Sequence, residues 1–86
     1  MYIIHRHYEA TEANDNFRGQ TQDWYCGKSG QSFGHEIPSA YWLKEFGYKT
    51  KASATRGLKA YLEYDESENK YGFWTVKSEL VEVEVK

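Results

Sequence analysis

The stretch that decides the fold is TKASATRGLKAYLEY, residues 50–64. Its apolar side chains recur at the spacing of one helix face: Ala54, Leu58, Tyr61 and Leu62. Thr50 stands immediately before this run, and its hydroxyl can accept a hydrogen bond from the free N–H groups of a first helical turn. We therefore predict a helix over residues 51–64. Gly57 within it costs about 1 kcal/mol relative to Ala, which indicates close packing against the sheet at that point.

Strands are predicted on the amino-terminal side of this helix. Residues 2–10 alternate in character and are rich in Tyr and Ile, which favour the extended state. Residues 21–26 and 31–37 predict a hairpin, because the two glycines within 27–30 accept the positive φ of tight turns. A short helix over Ala40–Phe46 follows the strand-ending Pro38.

Three segments are predicted after the main helix: a polar, acidic loop at 65–70 and strands at 71–77 and 80–85. The apolar residues change side between Val76 and Val81, and a period of two cannot change side without an extra residue. Residues 77–79 are therefore either a β-bulge in one long strand or a turn between two. The bulge is favoured, because these residues include no Gly, Asn or Pro.

The predicted order is β-β-β-α-α-β-β, which is typical of an α+β fold. We expect one domain over residues 1–86, with an antiparallel or mixed sheet of four to five strands packed against the main helix and the short helix. The apolar face of each element supplies the expected core: Ile4, Trp24, Phe33, Ala54, Leu58, Leu62, Trp74 and Val83.

Length and composition exclude several classes of protein. A chain of 86 residues is too short for a second domain, and its single Cys excludes an internal disulfide. With 40% hydrophobic and 17% aromatic residues, the chain does not have the composition of a disordered protein. Its first residues place apolar side chains before charges, the reverse of a signal peptide. A cytoplasmic location and no contact with membranes are the expectation.

The net charge of −2 conceals an uneven distribution of acidic and basic residues along the chain. Residues 63–86 hold seven acids and three bases, whereas residues 44–59 hold five bases and only one acid, Glu45. The five bases are the predicted binding residues: Lys44, Lys49, Lys51, Arg56 and Lys59. Such a segment attracts an anionic partner, either an acidic protein face or a phosphate backbone.

Two groupings could carry chemistry, and both are incomplete. His5 and His7 project from the same face of the first strand, and His35 or Cys26 could complete a zinc site. Cys26 could act as a nucleophile if His35 and Asp23 met it across the hairpin. A lone cysteine is more typical of a core, and the ligand set lacks a standard motif. We therefore predict no metal, no cofactor, no small-molecule substrate and no enzymatic activity. A metal- or cysteine-dependent enzyme is the least favoured alternative.

The segment FGYKTKASA, residues 46–54, resembles the passage from strand to helix in the arm-site DNA-binding domains at the amino termini of phage-type tyrosine recombinases. Those domains consist of three strands and a helix, and the resemblance implies that the sheet reads DNA. The chain departs from them in its acidic carboxyl-terminal strand, its overall charge and the helix at 40–46. No functional residue is carried over from this resemblance.

The function predicted from these features is binding, in the manner of the small accessory or inhibitory proteins of phages. Three Trp, eight Tyr and four Phe exceed the needs of a small core, so some aromatic rings are expected at an interface. The alternating residues 81–85 could form a strand edge that pairs with another chain. The expected partner is a protein or a second copy of this chain. Nucleic-acid binding through residues 44–59 is the alternative.

Overall fold

The computed structural model describes residues 1–84 and confirms an α+β fold. Its elements are β1 (Tyr2–Ala10), β2 (Thr21–Cys26), a 3₁₀ turn (Lys28–Gly30), β3 (Ser32–Gly34), α1 (Ala40–Phe46), α2 (Lys51–Tyr71) and β4 (Trp74–Glu82). The strands form one sheet in the order β3-β2-β1-β4, and every neighbouring pair is antiparallel. The third strand is shorter than predicted, with only three residues.

The two strands predicted at 71–77 and 80–85 are one strand, β4, with neither a bulge nor a turn at 77–79. Its pairing with β1 is continuous from Tyr2 opposite Glu82 to Ala10 opposite Trp74. The apolar residues of β4 change face because both faces of the sheet are covered at the end where Tyr2 pairs with Glu82. Val81 lies opposite Ile3 on one face, while Ile4 points to the other face, and both isoleucines are 0% exposed. Val85, the end of the predicted strand, lies outside the described residues.

Helix α2 begins as predicted and ends later. The side-chain oxygen of Thr50 accepts a hydrogen bond from the Ser53 amide at 3.1 Å. The predicted loop at 65–70 is helical, and the helix ends at Gly72, whose φ of 80° is the left-handed conformation of a helix C-terminus. The polar residues 65–70 indicate a loop when only the sequence is considered. In the structure they continue the helix, because a polar contact holds this turn against the sheet.

That contact joins Arg6 of β1 to Asp65 of α2. The guanidinium Nη2 donates to Asp65 Oδ1 at 2.8 Å, and both side chains are largely buried, at 13% and 7% exposure. The guanidinium also lies 5.1 Å from the centre of the Tyr61 ring and 5.3 Å from that of Tyr8. A buried ion pair of this kind fixes the position of the helix over the sheet, because either charge alone would be left without a partner.

The predicted core is confirmed in part. Ile4 and Ala54 are buried, and five other members are half-buried: Trp24, Phe33, Leu58, Trp74 and Val83. The prediction for Leu62 is wrong, because its side chain is 47% exposed. Tyr61 and Asp65 continue the buried stripe of α2, and Leu62 lies beside that stripe.

Gly57 is packed closely, but against a tyrosine rather than against the sheet. A Cβ at this position would overlap the Tyr48 ring, with its Cζ only 2.5 Å away. Tyr48 in turn belongs to the connection between the helices, where it exchanges two 2.8 Å backbone hydrogen bonds with Tyr2. The glycine therefore allows the Tyr48 ring to lie directly against α2 while the Tyr48 backbone pairs with β1.

Replacing Asp65 by Ala should lower the free energy of unfolding by about 3–5 kcal/mol, because the Arg6 charge is then buried without its partner. The double variant Arg6→Met, Asp65→Leu should recover most of this loss, since apolar residues need no partner there. Urea unfolding followed by circular dichroism measures both. A loss below about 1 kcal/mol in the single variant would contradict the role given to this pair.

Replacing Gly57 by Ala should destabilise the protein by about 1 kcal/mol, because the overlap with Tyr48 outweighs the better helix propensity of Ala. In a Tyr48→Ala background the same substitution should instead stabilise by about 1 kcal/mol, since only the propensity term is left. The change in the free energy of unfolding caused by Gly57→Ala is thus expected to have opposite signs in the two backgrounds. The same change in both backgrounds would contradict the contact between Gly57 and Tyr48.

Candidate functional site

The five predicted binding residues are exposed but do not all share one element. Lys44 lies on α1, Lys49 in the connection, and the other three on α2: Lys51, Arg56 and Lys59. None of them has an acidic partner within ion-pair distance among residues 1–84. Their charges are therefore available to a partner molecule.

The first turn of α2 carries a base where the helix dipole favours an acid. Its first turn contains Lys51 and no acid, its last turn contains the base Lys70, and Glu63, Glu66 and Glu68 lie between them. A helix is stabilised by acids near its amino end and bases near its carboxyl end, by about 0.3–1 kcal/mol each. Helix stability therefore does not account for the base at the amino end, whereas an anion bound beside the first turn would be favoured by it.

Helix α1 exposes large aromatic side chains. Tyr41 is 68% and Trp42 is 47% exposed, and Leu43 is the buried residue of this seven-residue helix. The Trp42 ring stacks on Phe46, with the ring centres 5.8 Å apart and the planes at 18°. Two adjacent, exposed aromatic rings next to Lys44 are typical of an interface.

A second group lies on the face of the sheet opposite α2, where β1 pairs with β2. The imidazoles of His5 and His7 both contact one carboxylate oxygen, Asp23 Oδ1, at 2.7 Å through Nε2 and Nδ1 respectively. Asp23 is directly opposite His7 in the register of the two strands, and Tyr25 is opposite His5. These three residues form what we call the His–Asp cluster, His5, His7 and Asp23.

The outer nitrogens of both imidazoles also face carboxylates. His5 Nδ1 lies 3.2 Å from Glu79 of β4, and His7 Nε2 lies 3.2 Å from Glu9. The Tyr25 ring stacks on His5, with the ring centres 4.8 Å apart and the planes at 15°. The ring orientations are thus held from several directions.

The cluster shifts the titration of its members. The hydrogen bond to Asp23 raises the pKa of His7 above its ordinary value, more than partial burial lowers it. Hydrogen bonds from His7 and His5 hold the pKa of the Asp23 carboxyl below its ordinary range. The Asp23 carboxylate is therefore ionised at neutral pH.

The other two residues considered as metal ligands do not join this cluster. Cys26 is buried on the opposite face, under α2, and burial raises the pKa of its thiol, which disfavours a nucleophilic thiolate. The His35 ring lies tilted against Trp24, with the ring centres 4.2 Å apart and the planes at 49°, and its Nδ1 contacts the backbone carbonyl of Asp23 at 2.7 Å. Asp23 had been considered only as a partner of Cys26; its place beside the histidines follows from the register of β1 and β2.

The open edge of β4 is partly closed by the chain itself. The Asn69 side chain of α2 accepts from the Val76 amide at 2.8 Å and donates to the Val76 carbonyl at 3.4 Å. The amide group thus imitates one step of a neighbouring strand. An edge covered in this way by a helix is protected against pairing with other chains.

Comparison with family models, with curated proteins and with solved structures gives no match to this chain. Among residues 1–84, no helix has the combination of length and apolar character that crossing a membrane requires.

Replacing Asn69 by Ala should accelerate hydrogen exchange of the Val76 amide and destabilise the protein by about 1 kcal/mol, because two side-chain hydrogen bonds to the strand edge are lost. Amide exchange by NMR is the measurement. Asn69→Asp is the matched control, since its carboxylate keeps the acceptor for the Val76 amide and should preserve the slow exchange. Unchanged exchange in the Ala variant would show that the edge does not depend on Asn69.

Proposed function

We propose that this protein is a non-enzymatic binding protein whose residues 37–59 dock the acidic face of another protein. We call these residues the basic–aromatic segment. One observation carries the proposal: Tyr41 and Trp42 are exposed side by side on a short helix, within a segment whose five bases lack acidic partners among residues 1–84.

The exposed rings supply the apolar part of such an interface. Ile37 is 52% exposed and precedes Tyr41 and Trp42 along the same segment. Exposed Trp and Tyr side chains are the residue types that most often dominate binding energy, because they bury a large area with few rotatable bonds. Their exposure on the free protein is explained if a partner covers them.

The bases supply attraction and orientation. Lys49 and Lys51 lie at the start of α2, where the helix dipole adds a partial positive charge, and Arg56 and Lys59 follow along the helix. An acidic partner would compensate the unfavourable base in the first turn of α2 as it binds. Such charges mainly raise the association rate and exclude wrong partners.

Nucleic acid fits the same segment less well. The aromatic rings could stack on bases, but the isoelectric point of about 5.9 is low for a nucleic-acid-binding domain. The open face of the sheet carries Asp23, Glu79 and Glu9, which would repel a phosphate backbone. This arrangement disfavours the reading of DNA by the sheet that the recombinase-like segment implies.

Two double variants test the proposal in a quantitative pull-down from the native host, followed by binding kinetics with the recovered partner. Lys51→Glu, Arg56→Glu should slow association by about 10-fold at low salt, because electrostatic steering is reversed. Tyr41→Ser, Trp42→Ser should weaken affinity by about 30-fold or more, because interface anchors are removed.

Matched variants outside the basic–aromatic segment should bind like the unaltered protein: Arg18→Glu, Lys70→Glu, with the same change in charge, and Tyr64→Ser, at an equally exposed ring. Salt separates the two classes of partner. Five neutralised phosphates of a DNA duplex would give a slope of log affinity against log salt of about −4.5, whereas a protein interface gives a shallower slope. Unchanged binding in both test variants would contradict the proposal.

A further inference from the structure

The geometry points to a binding site for a divalent transition-metal ion of the zinc class in the His–Asp cluster, formed by His5, His7 and Asp23. The site lies on the sheet face opposite α2 and is independent of the basic–aromatic segment. Imidazole nitrogen and carboxylate oxygen are the donors that zinc prefers beside thiolate.

The three donor atoms already converge on one point. His5 Nε2, His7 Nδ1 and a carboxylate oxygen of Asp23 lie within 4.8 Å of one another. In a tetrahedral zinc site, bonds near 2.0–2.1 Å place neighbouring donors about 3.3 Å apart. To bind zinc, the two 2.7 Å contacts to Asp23 Oδ1 lengthen by about half an ångström through rotation of this half-buried carboxylate, and the two imidazole nitrogens, which are at most 4.8 Å apart, draw together toward the same spacing.

The groups behind the histidines are those of a metal site. A metal-bound imidazole commonly donates its other N–H to a carboxylate, which sets the tautomer and the ring orientation. Here each imidazole has such a carboxylate, Glu79 for His5 and Glu9 for His7, both at 3.2 Å. With those outer nitrogens protonated, the two inner nitrogens present lone pairs toward the same point.

The number of hydrogen bonds that the two imidazoles can donate favours a cation between them and Asp23. Each imidazole has carboxylates at both nitrogens, but a neutral imidazole has only one N–H to donate. If that proton serves the outer glutamate, the inner lone pair faces the Asp23 oxygen without attraction until a second proton or a metal ion lies between them. A metal ion between the three donors gives each of them a favourable partner.

The surroundings are suited to capture of an ion from solution. Three carboxylates lie at the cluster, and Lys77, opposite His7 in β4, is the neighbouring base on this face. The side chains of His5, His7 and Asp23 are 20%, 33% and 42% exposed, so an ion can enter without opening the fold. Two nitrogen donors favour a zinc-class ion over Ca²⁺ or Mg²⁺, which prefer oxygen.

The donors also stand on rigid parts of the structure. All three lie within the paired segments of β1 and β2, in the middle of the sheet. Strand positions hold a ligand set more accurately than loops do. The site therefore requires little reorganisation to bind the ion.

Calorimetric titration of the chelator-washed full chain with Zn²⁺ alone tests this inference. We expect binding of one equivalent, together with a rise in the thermal unfolding midpoint as zinc is added, because an ion that binds the folded state stabilises it. His7→Gln or Asp23→Asn should weaken zinc binding by more than about 100-fold, and Glu79→Gln by about 10-fold.

His35→Gln is the matched control, because it removes the third histidine but no donor of the cluster, and it should bind zinc like the unaltered protein. Circular dichroism shows whether each variant is folded, and Asp23→Asn, which is nearly isosteric, decides the outcome if a histidine variant unfolds. Absence of saturable binding below about 1 mM zinc would overturn the inference. The inference would also be overturned if the Asp23→Asn variant and the Glu79→Gln variant both bound zinc as tightly as the unaltered protein.

Discussion

The buried ion pair between Arg6 and Asp65 is the interaction on which the rest of the structure depends. It joins β1, an inner strand, to the carboxyl-terminal half of α2, and the aromatic rings of Tyr8 and Tyr61 lie against it. Because Arg6 must point toward the helix, its neighbours along the strand point the other way. His5 and His7 are therefore presented on the open face, where Asp23 meets them.

The two surfaces proposed to bind are separated by this arrangement. The basic–aromatic segment belongs to the helices and their connection, and the His–Asp cluster belongs to the middle of the sheet. A metal ion in the cluster would act on the strands β1 and β2, not on the rings of α1. The protein can thus be read as a small scaffold whose rigid sheet holds the His–Asp cluster and whose helices hold the charged, aromatic segment that we propose to dock a partner.

Much of the fold could be predicted from local sequence patterns. The features that could not be predicted depend on contacts between residues that are distant in the sequence. The start of α2 at Thr50 and the first two strands follow from capping and alternation, which are properties of neighbouring residues. The continuation of α2 through 65–70 depends on Asp65 meeting a residue 59 positions away. Likewise, the shared face of His5 and His7 follows from alternation, but the approach of Asp23 requires the register between two strands. The exposure of Leu62 and Trp42 depends on tertiary packing in the same way.

The alternation of His5, Arg6, His7 and Tyr8 has a consequence for how the chain avoids misfolding. Ile3 and Ile4 are both buried, so hydrophobicity at the start of β1 does not distinguish its two faces. If β1 slipped by one residue against its neighbours, the two imidazoles would turn beneath α2 and Arg6 would turn toward water. Asp65 would then be buried without its cation. The polar half of the strand, rather than its apolar half, therefore selects the correct pairing, and misaligned sheets are penalised by an unpaired charge.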